Sequence, residues 1–290
     1  LLVLEGHSFA VFDVACCEVR GGRPPRAVSV AGGDKALRLW DPVGRSSALA
    51  TLEGHTDWVM SVACFCAADG GQRAVSGSSD RTLRIWDLER RSTLAILDGH
   101  RLDVRGVTTC TMCDGEVLVV SCAYDASACV WRLPASVHGA TEQLQPSRVT
   151  LPLTRLEGHG SGIRAVASCT LDDGAAYVVT ASHDHTARVW ATQGDPERWA
   201  LVSTLHGHHG SVSGVACVKK SNGGFLVMTS SFDCTLRSWD VRAGSTELAV
   251  FGAPISSRAA LKAVDFDTAG SPQRVAYTLI GTSQKLLSRR

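Results

Sequence analysis

No uninterrupted apolar run in this 290-residue chain approaches the ~18 residues a membrane-crossing helix needs, so nothing here is predicted to span a bilayer. Lysine is scarce: five residues (Lys35, Lys219, Lys220, Lys262, Lys285) stand against 24 arginines. Surplus charge is nearly absent too. Lysine and arginine total 29 against 28 carboxylates, a formal +1, so no global field draws the chain toward nucleic acid or anionic lipid. Asparagine occurs once, and Asn222 precedes two glycines rather than completing a glycosylation sequon. The start, Leu1 to His7, lacks a basic cleavable leader and an initiating Met, as expected of a fragment or an excised domain. No Gly-rich Lys-Ser/Thr phosphate loop, His-Glu-x-x-His pair or nucleophile elbow is found, so no catalytic class is indicated. Eleven cysteines, an odd number spread over a large chain, argue against a disulfide framework. They favour a reducing setting, the cytoplasm first and the nucleus second. What is present, 44% apolar and 20% charged residues, is ample for a buried core and rules out wholesale disorder.

The dominant feature is a repeat. Gly-His recurs at Gly6-His7, Gly54-His55, Gly99-His100, Gly158-His159 and Gly207-His208, with histidines 48, 45, 59 and 49 residues apart. Each is followed by a tryptophan (Trp40, Trp86, Trp131, Trp190, Trp239) at distances of 33, 31, 31, 31 and 31 residues. Six residues before each tryptophan stands an aspartate: Asp34, Asp80, Asp125, Asp184 and Asp233. Three residue types recurring five times in one frame define a repeat architecture.

Within a unit the pattern reads as strands. Val59–Phe65 is apolar, and Asp69-Gly70-Gly71 punctuates it. Arg73–Ser76 follows, then the polar turn Ser78-Ser79-Asp80-Arg81, then the alternating Thr82–Trp86, and Thr93–Leu97 leads to the next Gly-His. Four short strands per unit of about 45 residues predict a four-stranded antiparallel sheet. Such a sheet cannot bury both faces alone, so successive sheets must stack.

These residues and their period resemble the WD-repeat β-propeller family, strongly over residues 1 to about 242. Trp-Asp survives at Trp40-Asp41, Trp86-Asp87 and Trp239-Asp240 and becomes Trp131-Arg132 and Trp190-Ala191 elsewhere. The resemblance implies an all-β propeller of four-stranded blades, a single domain over 1–290. Its units run approximately 7–54, 55–99, 100–158, 159–207 and 208–252. A degenerate sixth blade, 253–290, would be completed by strand 1–4, which closes a six-bladed ring; a seventh blade is missing if the chain is a fragment. The resemblance also implies one hydrogen-bonded chain per blade through histidine, hydroxyl, aspartate and tryptophan. Those sets are His55, Ser76, Asp80 and Trp86; His100, Ser121, Asp125 and Trp131; His159, Thr180, Asp184 and Trp190; and His208, Thr229, Asp233 and Trp239. Unit one has His7, Asp34 and Trp40, but Val30 at the hydroxyl position with Ser29 beside it, so its network is expected to need a bulge. The chemistry is consistent: indole only donates, hydroxyl does both, imidazole does one of each, and carboxylate accepts. Histidines confined to separate blades are structural, and no metal or cofactor is expected.

Cys16, Cys64 and Cys217 lie nine residues after their histidine and Cys110 and Cys169 ten after theirs, so all five read as small first-strand core residues. Cys110-Thr111-Met112-Cys113 lacks a second pair at zinc spacing. The sixth unit retains only Thr278 of the network, with Ala253, Thr282 and Ser288 at the other positions. About 14 extra residues, Pro134 through Pro152, read as a solvated loop on the bottom face.

In this family partners dock on the top face, and the resemblance points to three projecting positions per blade. The first are Ala10, Trp58, Asp103, Gly162 and Ser211. The second are Phe12, Met60, Arg105, Arg164 and Ser213, and the third Gly33, Ser79, Tyr124, His183 and Phe232. Aromatic, Met and Arg side chains are enriched at interface hot spots, which singles out Trp58, Met60, Arg105, Tyr124, Arg164, His183 and Phe232. The expected function is a non-enzymatic scaffold for a protein or peptide, acidic or phosphorylated opposite the arginines, within a larger complex. Two alternatives stand beside it. Trp239-Asp240-Val241-Arg242 resembles the box through which WD-repeat substrate receptors meet cullin-RING ubiquitin ligases, with Arg242 as the adaptor contact. An RNA-associated propeller is the other; the arginine excess serves it and the +1 balance opposes it.

Overall fold

The computed structural model describes residues 3–17, 24–44, 47–134, 137, 145–192, 195–220, 224–241, 246–252, 260–263 and 277–280. The chain is built from β-strands grouped in sequence order, as the repeat demands. The first sheet holds β1 (Val11–Cys17), β2 (Arg26–Ala31), β3 (Leu37–Trp40) and β4 (Ala50–Leu52). The second holds β5 (Val59–Cys66), β6 (Gln72–Ser78), β7 (Thr82–Asp87) and β8 (Ser92–Asp98). The third holds β9 (Val104–Thr111), β10 (Val117–Ala123) and β11 (Ala128–Arg132), then, after an interposed strand β12 (Ser147–Val149), β13 (Thr154–Leu156). The fourth runs β14 (Ile163–Thr170), β15 (Ala176–Ser182), β16 (Ala187–Thr192) and β17 (Ala200–Leu205). The fifth runs β18 (Val212–Lys219), β19 (Phe225–Ser231), β20 (Thr235–Asp240) and β21 (Thr246–Gly252). A two-stranded pair, β22 (Ala260–Ala263) and β23 (Tyr277–Ile280), follows and lies against β18.

The sheets stack because each is apolar on both faces. Trp131 packs with Leu83, Ile85 and Leu97 of the preceding sheet, and Trp239 packs with Val179, Val189 and Leu205. Trp190 packs with Leu118, Val120 and Val130, and Trp86 with Val28, Leu37 and Leu52. Each indole thus sits at a junction between sheets, where its burial contributes roughly 4–6 kcal/mol before ordering costs. Inner strands are also tied across sheets by polar bonds. The Asp13 carboxylate on β1 accepts the Ser61 hydroxyl at 2.8 Å and the Val62 N–H at 3.0 Å, and Ser61 in turn accepts the Val107 N–H at 3.3 Å. Ser168 donates to the Thr109 carbonyl and Thr170 to the Thr111 carbonyl, both at 2.8 Å.

Three expectations change here. The extra segment in unit three is not simply a solvated loop. Ser147–Val149 adds a fifth, parallel strand to β8 of the preceding sheet, Arg148 pairs with Asp98 at 2.6 Å, and Val137 is fully buried. An open edge strand invites further pairing, and this insertion covers it. The closing strand over 1–4 is not seen in its described part: Val3 and Leu4 are exposed and outside any strand, and Glu5 makes one parallel bridge to Ser47. The remainder of that expectation (Leu1, Leu2 and most of 253–290, including Ala253, Thr282 and Ser288) lies outside the described residues. Third, the five repeat cysteines are not uniformly buried. Cys110 and Cys169 are, Cys64 and Cys217 are half-buried, and Cys16 is exposed. The reason is visible on β1. Val11 is 48% exposed, whereas its repeat equivalents Val59, Val104, Ile163 and Val212 are all at 0%, because a preceding sheet covers theirs.

Candidate functional site

The top face is organised by the turn between second and third strands. In units two to five the aspartate closes that turn: Oδ1 of Asp80 accepts the Thr82 N–H, and Asp125, Asp184 and Asp233 do the same for Ser127, Thr186 and Thr235; in unit one Asp34 Oδ1 accepts the Ser8 N–H instead. The next residue (Lys35, Arg81, Ala126, His185 or Cys234) takes φ between 53° and 70°, a left-handed conformation that this Asx geometry stabilises without glycine. The other carboxylate oxygen reaches the histidine. Histidine Nδ1 lies 2.5–3.0 Å from the aspartate in all five units, and Nε2 lies 2.6–2.8 Å from the hydroxyl. The indole N–H donates to the same hydroxyl at 2.7–3.0 Å. Since a carboxylate only accepts, Nδ1 carries the proton, Nε2 accepts, and the hydroxyl donates to it. Burial pushes His55 and His208 down from the ordinary imidazole value despite their aspartates, so both are neutral. Burial alone raises the Asp80 carboxyl, but hydrogen bonds from His55, Thr82 and the Thr56 N–H outweigh it and hold it well below the usual carboxylate range. Asp125, Asp184 and Asp233 are held down likewise.

Unit one forms this network through Ser29, which accepts the Trp40 N–H at 2.7 Å and bonds His7 at 2.6 Å. No strand bulge is needed between β2 and β3. The extra residue lies in their connecting turn: Val30 pairs with Leu37 across residues 31–36, where Gly77 pairs with Leu83 across 78–82.

One recurring contributor went unread in the sequence. Arg38, Arg84, Arg188 and Arg237, each two residues before its tryptophan, lie against the glycine of Gly-His; a Cβ on Gly54, at φ +152°, would stand 2.7 Å from Arg84 Nη1. Its signal was the recurrence itself. Unit three has Cys129 there, and Arg155 from the facing strand β13 supplies the guanidinium, donating to the Gly99 carbonyl at 2.7 Å and the Ser127 hydroxyl at 3.0 Å.

The outward residues owe their aim to bulges. In all five first strands the register slips by one residue, and the residue left unpaired is Phe12, Met60, Arg105, Arg164 or Ser213. A bulge turns its extra side chain out of the pleat, so five sheets present that position at one end. The structure brings these residues together in two patches. Phe12 and Trp58 have ring centroids 6.1 Å apart, Trp58 is 49% exposed, and Phe9 lies over Gly33. On the third to fifth sheets Arg105 lies 4.7 Å over the Tyr124 ring, Tyr124 is 5.6 Å from His183, and Arg164 is 5.3 Å over Phe232. His183 bonds the Ser211 hydroxyl at 3.0 Å. A cleft of about 250 Å³ opens among Tyr124, Ser161, Gly162 and His183. Gly162 permits it, since a Cβ there would meet the Tyr124 ring at 2.8 Å. Burial, then Arg105, pushes Arg164 down from its ordinary value, and burial, then both guanidiniums, pushes His183 down. Arg242 lies outside the described residues, and the neighbouring Asp240 carboxylate is bound by Lys220.

The family model for the WD domain, G-beta repeat, matches residues 46–87, 91–132, 150–191 and 199–240. The chain belongs to this family. Among curated relatives, nuclear distribution protein PAC1 of Arthroderma otae is 40% identical over 74 residues, 23% of this chain and 15% of that protein. Nuclear distribution protein nudF 2 of Aspergillus clavatus is 37% identical over 71 residues, 24% of this chain and 15% of its own length. Nuclear distribution protein PAC1-2 of Uncinocarpus reesii is 46% identical over 57 residues, 20% and 11%. The matched stretch thus spans well under a fifth of each relative, the length of one or two WD repeats.

Proposed function

We propose that this WD-repeat chain is a non-enzymatic interaction scaffold that binds protein or peptide partners on its top face as part of a larger complex. The observation that carries the reading is the set of five bulges, which direct Met60, Arg105 and Arg164, with Phe12 and Ser213, to one end of the stack. Trp58 and Phe232, 49% and 39% exposed, supply apolar anchors; Arg164 lies over Phe232, and Arg105 lies over Tyr124 next to His183. Trp58 and Phe232 stand at the ends of strands, just before β5 and just after β19, tied by backbone bonds to Ser79 and Ser211, and anchored aromatic side chains lose little entropy when a partner covers them. Acidic or phosphorylated groups on the partner would face Arg105 and Arg164. The setting is the cytoplasm, with the nucleus second; an odd count of eleven cysteines spread over a large chain suits a reducing compartment. No helix among the described residues is long and apolar enough to cross a membrane.

The test is a quantitative pull-down with the chain and its Trp58→Ala and Arg164→Ala variants. Both are expected to melt normally and to capture less of the partners that the unaltered chain retains. Undiminished capture of every partner by both variants refutes the assignment of this face.

A further inference from the structure

Arg105 and Arg164 occupy equivalent bulges on the adjacent strands β9 and β14. Among the described residues neither has a carboxylate within ion-pair distance, although the carboxylates of Asp69, Asp87, Asp98, Glu116 and Glu247 each hold an arginine elsewhere on the chain. Two half-buried guanidiniums side by side without a counter-ion repel each other, and each is kept in place by an aromatic face, Tyr124 under one and Phe232 under the other. Stacking occupies the flat face of a guanidinium and leaves its N–H edge open, so the donors are ordered before any ligand arrives. His183, neutral and already bonded through Nδ1 to Ser211, adds a second polar edge beside the cleft.

We infer that Arg105 and Arg164 together form a site for one phosphorylated side chain of a peptide partner, which deepens the scaffold reading and rests on it. The charge count selects this ligand. A carboxylate neutralises one guanidinium and leaves the other uncompensated, whereas a phosphomonoester carries about −1.5 to −2 at neutral pH and three acceptor oxygens. A polyphosphate strand would need a longer basic track. The flanking groups are Tyr124, Phe232, Ser161 and Gly162, and the net charge of the chain is only +1.

The experiment measures fluorescence anisotropy of labelled peptide pools with degenerate flanks and a fixed central phosphoserine, phosphothreonine or phosphotyrosine, beside matching pools with Ser or Glu. At least one phosphorylated pool is expected to bind about tenfold or more tighter than the Glu pool. Arg105→Ala and Arg164→Ala should each abolish that preference. Arg164→Lys, which keeps the charge and the fold but not the paired donors, should lose most of it. Equal binding of Glu and phosphorylated pools overturns the inference, as does a preference that survives both alanine variants. So does homopolymeric RNA that outcompetes the phosphopeptides with a steep salt dependence. Binding of the unphosphorylated pools that depends on Trp58 but shows no phosphate preference overturns the phosphate site while leaving the scaffold reading intact; loss of both removes the two together.

Discussion

Replacing Ser121 with alanine removes a single oxygen from the third blade and strands two partners. Ser121 is fully buried, its hydroxyl accepts the Trp131 N–H at 2.8 Å, and it bonds His100 Nε2 at 2.7 Å. Neither partner has an alternative in reach of water, since Trp131 is fully buried and the His100 side chain is at 0% exposure. An orphaned buried polar group costs about 1–3 kcal/mol, so two of them cost about 2–5 kcal/mol when allowance is made for relaxation. At about 2–4 °C per kcal/mol for chains of this size, melting should fall on the order of 5–15 °C. Ser121→Thr is the internal control, because Thr180 and Thr229 hold the same place in the next two blades. It should retain most of the stability. Differential scanning calorimetry reads the total, and hydrogen exchange should localise the loss to β10 and β11, because stacked repeats interact with their neighbours only. A melting point within about 1 °C of the parent, or a threonine variant as damaged as the alanine one, refutes the claim that the hydroxyl is the hub of this network.

Two further outcomes follow from the same geometry. His55 and His208 are held neutral below the unfolded imidazole value, so the unfolded chain takes up protons first and stability falls as pH drops below about 6.5. The depressed carboxyls of Asp80, Asp125, Asp184 and Asp233 add a second loss as pH falls below about 4; urea midpoints measured from pH 8 to pH 3 should decline in two stages, and a flat profile across the first refutes neutral histidines. Asp13→Ala should lower stability by about 1–3 kcal/mol in urea titration, because it removes the acceptor of the buried Ser61 O–H and of the Val62 N–H and with them the polar brace between the first two sheets; a change under about 0.5 kcal/mol would show the brace to be idle.

Much of this molecule is legible residue by residue. The repeat is set by residue types whose hydrogen-bonding roles are fixed by their chemistry, so histidine, hydroxyl, aspartate and tryptophan in register already name their own partners. The left-handed residue after each aspartate and the glycine before each histidine are local too, governed by turn geometry and by the guanidinium lying against the glycine. What tertiary structure alone decided is nonlocal. Arg155 replaces an absent arginine from the opposite strand, and β12 runs parallel to a strand about 50 residues earlier, because those relations depend on which backbones end up adjacent in space. The bulges that aim Arg105 and Arg164 are invisible in composition, since a one-residue slip is a property of the ladder rather than of the residue. Cys16 makes the same point from the other side: its residue type and spacing match Cys64 and Cys217, yet it is exposed, because burial belongs to the neighbour that covers a face and not to the strand that carries it.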